Sequence, residues 1–268
     1  MLKKTKIISM LLCCSLLLIS CGKGNSGNGT TTGDKEEKAQ VELNISAAAS
    51  LKEVMADLQT EYKRSNENVS LVVNYGSSGS LQQQIEQGAP CDVFISAGQK
   101  QMKALDEASL LLEGTYKDLL ENDLVLIASK DSDVSNLDDL ITNKVKHIAV
   151  GEPSSVPAGK YADEVLVNLD LKYKIKDKLV FAKDVKEVLA WTQSGNAEVG
   201  FVYYSDTINT DNIKIVETTP STSHSAIVYP IAVIKESKKP EAAKEFEDFL
   251  LSTDGQAILK DFGYKSVE

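Results

Sequence analysis

Serine recurs where the pattern of this chain changes from strand to helix. In "NISAAASLKEV" (residues 44–54) Ser50 closes a run of alanines, and in "YGSSGS" (75–80) Ser77, Ser78 and Ser80 sit among glycines. In "EPSSVPAG" (152–159) two serines precede Pro157 and Ala158, and in "KDVKEV" (183–188) Asp184 stands where a helix N-cap belongs, before Val185. Small residues clear space, and the first turn of a helix offers N–H groups without intrahelical partners. Two chemistries are open to such junctions: a nucleophilic hydroxyl, or hydrogen-bond donation to something small.

The nucleophilic reading is the poorer one. A serine hydrolase needs a base, and the chain has only His147, inside a strand pattern, and His224, in the polar loop "STSHS". "GSSGS" does not complete G-x-S-x-G, because Ser78 stands two residues before Ser80 where glycine is required. A surface serine hydrolase at Ser78 is therefore the alternative, not the lead. Two distant histidines, few cysteines and scattered carboxylates give no metal-ligand spacing. Neither a G-x-x-x-x-G-K-[ST] loop nor a strand-following G-x-G-x-x-G is present.

The junctions need elements to hold them. Strand patterns fall at 41–46, 69–74, 92–96, 123–129, 147–151, 179–182, 198–203, 213–217 and 228–234. Helical spacing falls at 51–65, 79–87, 99–106, 136–142, 159–168, 185–194, 240–251 and 254–261. This alternation predicts an α/β fold with mostly parallel sheets covered by helices. Ligands of such sheets bind beyond the carboxyl ends of the strands, where helices begin. If the four junctions converge, they make one concave, positive-ended cradle.

The amino terminus has a different character. Lys3, Lys4 and Lys6 precede an apolar run from Ile7 to Ile19, too short for a comfortable membrane span and laid out like a secretory signal over residues 1–20. "LISC" (18–21) reads as a lipobox with Cys21 as the lipidated residue, and residues 21–40, rich in Gly, Ser, Thr and charge, as a flexible tether. Removing three signal lysines takes 29 basic residues to 26 against 39 acidic ones, a charge of −13 that argues against a nucleic-acid partner. Cleavage would also remove Cys13 and Cys14 and leave Cys91 as the one free thiol.

Several stretches, in order, resemble one family. "AAASLKEV", "GSSGSLQQQIEQGAPCDVFISAGQKQM", "VGEPSSVPAGKYADE", "DVKEVLAWTQSGNAEVGFVYYSD", "VYPIAVIK" and the terminal "GYK" are similar to the molybdate-binding proteins of ABC transporters, over essentially all of 41 to 264. The resemblance implies a two-lobed type II periplasmic-binding-protein fold, each lobe a mostly parallel sheet flanked by helices and joined by hinge strands. Lobe 1 would hold 41–122 plus 231–268, and lobe 2 would hold 123–230. It further implies an oxyanion held by Ser50 and Ser78, by backbone N–H groups of Ala158 and Val185, and by the phenol of Tyr203, with Tyr204 the adjacent alternative.

No catalytic residue, resident cofactor or direct cation ligand is implied; molybdenum would arrive as molybdate. Tungstate or sulfate are the alternative ions. Implied partners are an ABC transporter permease and, through the lipid, the outer face of the cell membrane, with the protein a monomer. A site made only of donors suits an ion that carries no proton. Hydrogen phosphate would set its O–H against other donors, at about 1–3 kcal/mol. Arg64, the one arginine, sits four turns beyond Ser50 and is poorly placed to contribute. Cys91 departs from the family pattern and reads as a small buried hydrophobe.

Overall fold

A computed structural model describes residues 39–267; the signal segment, the lipobox with Cys21 and nearly all of the tether lie outside the described residues. The strands, in chain order, are β1 (Val41–Ala48), β2 (Val69–Gly76), β3 (Val93–Ile95), β4 (Lys117–Glu121), β5 (Leu124–Ser129), β6 (Ile148–Gly151), β7 (Leu179–Ala182), β8 (Val199–Tyr203), β9 (Ile213–Thr218) and β10 (Val228–Val233). The helices are α1 (Lys52–Ser65), α2 (Ser78–Glu86), α3 (Gln99–Glu107), α4 (Pro157–Asn168), α5 (Lys172–Ile175), α6 (Val185–Gln193), α7 (Pro240–Leu251) and α8 (Thr253–Asp261).

Ten strands form two five-stranded sheets with the same plan. The first runs β2-β1-β3-β10-β4 and the second β7-β6-β8-β5-β9. In each, three neighbouring strands are parallel and a fourth crosses antiparallel beside them: β10 against β3 and β4, and β5 against β8 and β9. Burial follows position. The edge strand β2 alternates inward and outward residues, whereas β10, covered on both faces, is buried throughout. Helices α1, α2, α3 and α7 pack on the first sheet and α4 and α6 on the second, giving two lobes.

Two short crossings join the lobes. The chain passes from β4 to β5 through Asn122 and Asp123, and returns between β9 and β10. The crossings bond to each other: Asn122 N–H donates to Ile227 O at 3.1 Å, and Thr219 N–H to Leu124 O at 3.0 Å. After the return, β10 begins at Val228.

Local patterns explain the helices. In α1 Val54, Met55, Leu58 and Tyr62 are buried at helical spacing, and the Tyr62 ring meets Phe246 and Phe249 of α7 at 5.1 and 5.2 Å. The segment expected as a helix at 136–142 is a 3-10 turn, Leu137–Ile141, capped by the Asn136 side chain. Two elements were not anticipated. "KDLLE" carries three charges in five residues yet forms β4, because an edge strand tolerates charge on its solvent side. "KYKI" makes only one turn, α5, too short for periodicity to reveal.

Candidate functional site

The carboxyl ends of β1, β2, β6 and β7 all lead into helices whose N-termini face one small cavity between the lobes. Its wall includes Ala48, Ala49, Ser50, Gly76, Ser77 and Ser78 from the first lobe, and Val156, Pro157, Ala158, Val185 and Tyr203 from the second. All five residues expected to bind an oxyanion therefore meet at one place. The void is small, with room for one tetrahedral oxyanion but not for a nucleotide or a sugar.

Each junction positions its donors in its own way. Ser50 lies in a 3-10 turn, Ala49–Leu51, ahead of α1, and neither this turn nor α1 has a side-chain cap. The hydroxyl does not fold back on its own helix, as the sequence suggests a cap should. Instead Ser50 Oγ lies 2.9 Å from Tyr229 Oη, and Tyr264 Oη donates to the Ser50 carbonyl at 2.8 Å. Asn122 reaches the same phenol. Its Oδ1 accepts from Asp123 N–H at 2.9 Å, so its Nδ2 donates to Ser205 Oγ at 2.9 Å and to Tyr229 Oη at 3.4 Å. Tyr229 Oη is thus within reach of both Asn122 and Ser50, and either hydroxyl of the Ser50–Tyr229 pair can donate to the other.

Ser77, not Ser78, caps α2, accepting from Ser80 N–H at 3.3 Å. Ser78 Oγ accepts the Ala97 N–H at 2.9 Å, which leaves its hydroxyl hydrogen for the cavity. On the other side Pro157 opens α4, and Gly159 lets that helix close on β6; a Cβ there would lie 1.9 Å from Gly151 O. Asp184, which also lines the void, caps α6 with its Oδ1 accepting the Glu187 N–H at 2.9 Å. The N–H groups of Ser50, Ser78, Ala158 and Val185 have no acceptor among the described residues. The Tyr203 phenol donates to Ala97 O at 3.3 Å, long for an O–H···O bond, while Tyr204 is more than a third exposed and does not line the void.

The lobes are shut over this space. Gly79 N–H donates to Ser155 O at 2.9 Å across the cleft, and a Cβ on Gly79 would sit 2.6 Å from that oxygen. Gly98 meets Pro157 similarly, where a Cβ would lie 3.1 Å away. Ser50, Ser78, Ala158 and Tyr203 are each 3 % exposed or less.

The electrostatics suit an anion held by dipoles. Among the described residues, no cationic side chain lines the void. Lys186, next to Val185, is held by Asp206 and Glu53 instead; burial pulls its pKa down, but the two carboxylates more than offset this and keep the ammonium charged. Burial pushes the phenols of Tyr203 and Tyr229 well above their ordinary value, so both stay protonated donors. Neither histidine lines the void: His147 faces Glu198 at 3.7 Å, and His224 Nδ1 lies 2.8 Å from Ser225 O. Cys91 Sγ contacts Val93 O at 3.2 Å, and burial pushes its thiol up to about 11, an inert group.

Sequence reasoning missed the supporting residues Asn122, Tyr229, Tyr264, Asp206 and Lys186. A signal existed for the tyrosines, since "VYPIAVIK" and "GYK" each place one polar-tipped aromatic in an otherwise ordinary segment.

Comparison with known proteins gives a consistent picture. The profile of the family described as "Bacterial extracellular solute-binding protein" matches residues 43–265. Bacillus subtilis YvgL, named a "Putative ABC transporter substrate-binding lipoprotein", is 37 % identical over 266 residues, covering 98 % of this chain and 99 % of its own. The molybdate-binding protein ModA of Haemophilus influenzae is 35 % identical over 233 residues, covering 85 % and 91 %. Among solved structures, the "substrate binding domain of putative molybdenum ABC transporter from Clostridium difficile" is 71 % identical, with a TM-score of 0.68 over 85 % of this chain and 100 % of its own.

Proposed function

The chain belongs to the bacterial extracellular solute-binding proteins, and from that premise we propose that it captures molybdate in the interlobe cavity through neutral hydrogen-bond donors. It is a binding protein and not an enzyme. The observation that carries the ligand is the convergence of four helix N-termini, with hydroxyls of Ser50, Ser78 and Tyr203, on a void sized for one tetrahedral ion. A dianion is held without a counter-charge when several dipoles point at it, each helix end adding about 0.3–2 kcal/mol and each hydrogen bond to the charge about 1.5–3 kcal/mol. Ions that carry a proton are disfavoured, because the groups gathered on the void are mainly donors and the Asp184 carboxylate in its wall is engaged by the Glu187 N–H. Tungstate has the size and charge of molybdate and would compete with it.

Closure of the two lobes unites the donors, so the closed form is the loaded one that a permease can recognise. Cys21 carries a lipid and residues 22–40 tether the folded part to the outer face of the membrane; the name of YvgL supports this reading of the amino terminus. The protein delivers its ion as a monomer to an ABC transporter permease.

Isothermal titration with molybdate, tungstate, sulfate and phosphate tests the ligand. Tight, comparable binding of the first two with weak binding of the others is expected; a preference for sulfate, or no binding of any, overturns the reading. For the anchor, wild-type protein should take up radiolabelled palmitate in cells, and Cys21→Ala should not. Equal labelling of the two would place the lipid elsewhere.

A further inference from the structure

One ammonium group joins the lobes beside the cavity. Lys186 Nζ lies 2.7 Å from Asp206 Oδ1 and 2.5 Å from Glu53 Oε2. Asp206 belongs to the same lobe as Lys186, is 1 % exposed, and accepts the Tyr203 N–H on its other oxygen at 3.1 Å. Glu53 belongs to the opposite lobe, in the first turn of α1, three residues beyond Ser50. Lys186 itself directly follows Val185. A single cation is thus tied to the three segments that carry Val185, Tyr203 and Ser50, and it touches both sides of the cleft.

We propose that Glu53, Lys186 and Asp206 form an interlobe latch in which Lys186 is a positioning residue, fixed to its own lobe by Asp206 and released from Glu53 when the cleft opens. The two arms differ in burial, which decides which one breaks. The Asp206 carboxylate is sealed in its lobe and would be left buried and unpaired if it lost the ammonium. The Glu53 side chain is about half exposed and can be rehydrated, so opening costs only that arm. The latch therefore acts mainly on the lifetime of the closed form, and salt weakens it because the Glu53 arm is open to solvent.

This rests on the molybdate reading, and the experiment separates the two. Dissociation of radiolabelled molybdate from the protein into excess unlabelled ion is followed for wild type, Glu53→Gln and Lys186→Arg. Glu53→Gln should release the ion about two- to fivefold faster at low salt, with its association rate unchanged. In about 1 M sodium chloride the two proteins should release alike. Lys186→Arg, which keeps a cation between both carboxylates, should stay near the wild-type rate. Wild-type release from Glu53→Gln at low salt overturns the latch and leaves the molybdate reading intact. If the wild type binds no ion, the molybdate reading fails. The latch is then judged by X-ray scattering of the ion-free proteins: Glu53→Gln should have the larger radius of gyration at low salt, and equal radii overturn the latch.

Discussion

The two halves of the cavity wall use different parts of the chain. The first lobe offers serine hydroxyls, each backed by another group: Tyr229 behind Ser50, and the Ala97 N–H behind Ser78. The second lobe relies at Ala158 and Val185 on backbone N–H groups, placed by Pro157, Gly159 and the Asp184 cap, with Tyr203 as its one hydroxyl. A hydroxyl donor depends on side-chain identity and on the network behind it. A backbone donor is indifferent to the side chain but sensitive to any shift of the helix end. The halves should therefore respond to mutation in opposite ways.

The largest effect should come from keeping the halves apart. Gly79→Ala places a Cβ where Ser155 O now sits at 2.6 Å, and overpacking of this kind costs about 1–3 kcal/mol. Titration should find molybdate affinity reduced about 10- to 100-fold, while thermal unfolding of the ion-free protein stays unchanged or rises slightly, since alanine favours helix more than glycine does. A parallel loss of unfolding temperature would mean the glycine serves the fold and not the clamp.

Next come the hydroxyls of the first lobe. Ser78→Ala removes a proposed donor to the ion and strands the buried Ala97 N–H, and Ser50→Ala removes another and leaves Tyr229 Oη with Asn122 alone. Each should weaken binding by about 1–3 kcal/mol in the same titration. Unchanged affinity in both would move the site elsewhere.

Proton loss offers a smaller and conditional effect. A phenol that ionises stops donating and adds a negative charge beside the ion, so binding is lost as pH rises through the Tyr203 pKa. Burial, followed by the neighbouring Tyr161 and Asp206, raises that pKa well above its ordinary value. Affinity should thus vary less than about twofold between about pH 7 and 9.5, below the ordinary tyrosine pKa of about 10. A decline that begins near pH 9 would show a Tyr203 phenol more open to water than its burial implies.

The smallest effect belongs to the second lobe. Val185→Ala keeps the N–H and should change affinity by less than about twofold, even where lost packing lowers stability by about 1 kcal/mol. A loss matching that of Ser78→Ala would erase the distinction between the halves.

Much of this architecture is legible in the chain because periodicity is a local property. All nine strand patterns fall within two residues of the observed ends, and the largest departures, 41–46 and 69–74, each extend by two, to Ala48 and Gly76. What escapes is what depends on neighbours far along the chain. β4 is a strand only because β10, more than 100 residues later, pairs with it. Ser50 illustrates the same divide at the site: its position before a helix predicts a cap, but Tyr229 and Tyr264 reach it from 179 and 214 residues away and claim both its oxygens.

The sequence by itself determined the alternation of elements and the small-residue junctions, which follow from local spacing and residue chemistry; Ser50, Ser78, Ala158, Val185 and Tyr203 were singled out by the resemblance of its motifs to one family. Only the tertiary structure decided that Tyr229 and the Ala97 N–H back the two serine hydroxyls, that the cleft stands closed on a void of one small ion, and that Lys186 bridges the lobes. These are relations between segments distant in sequence, and they exist only once the two sheets have brought their helix ends together.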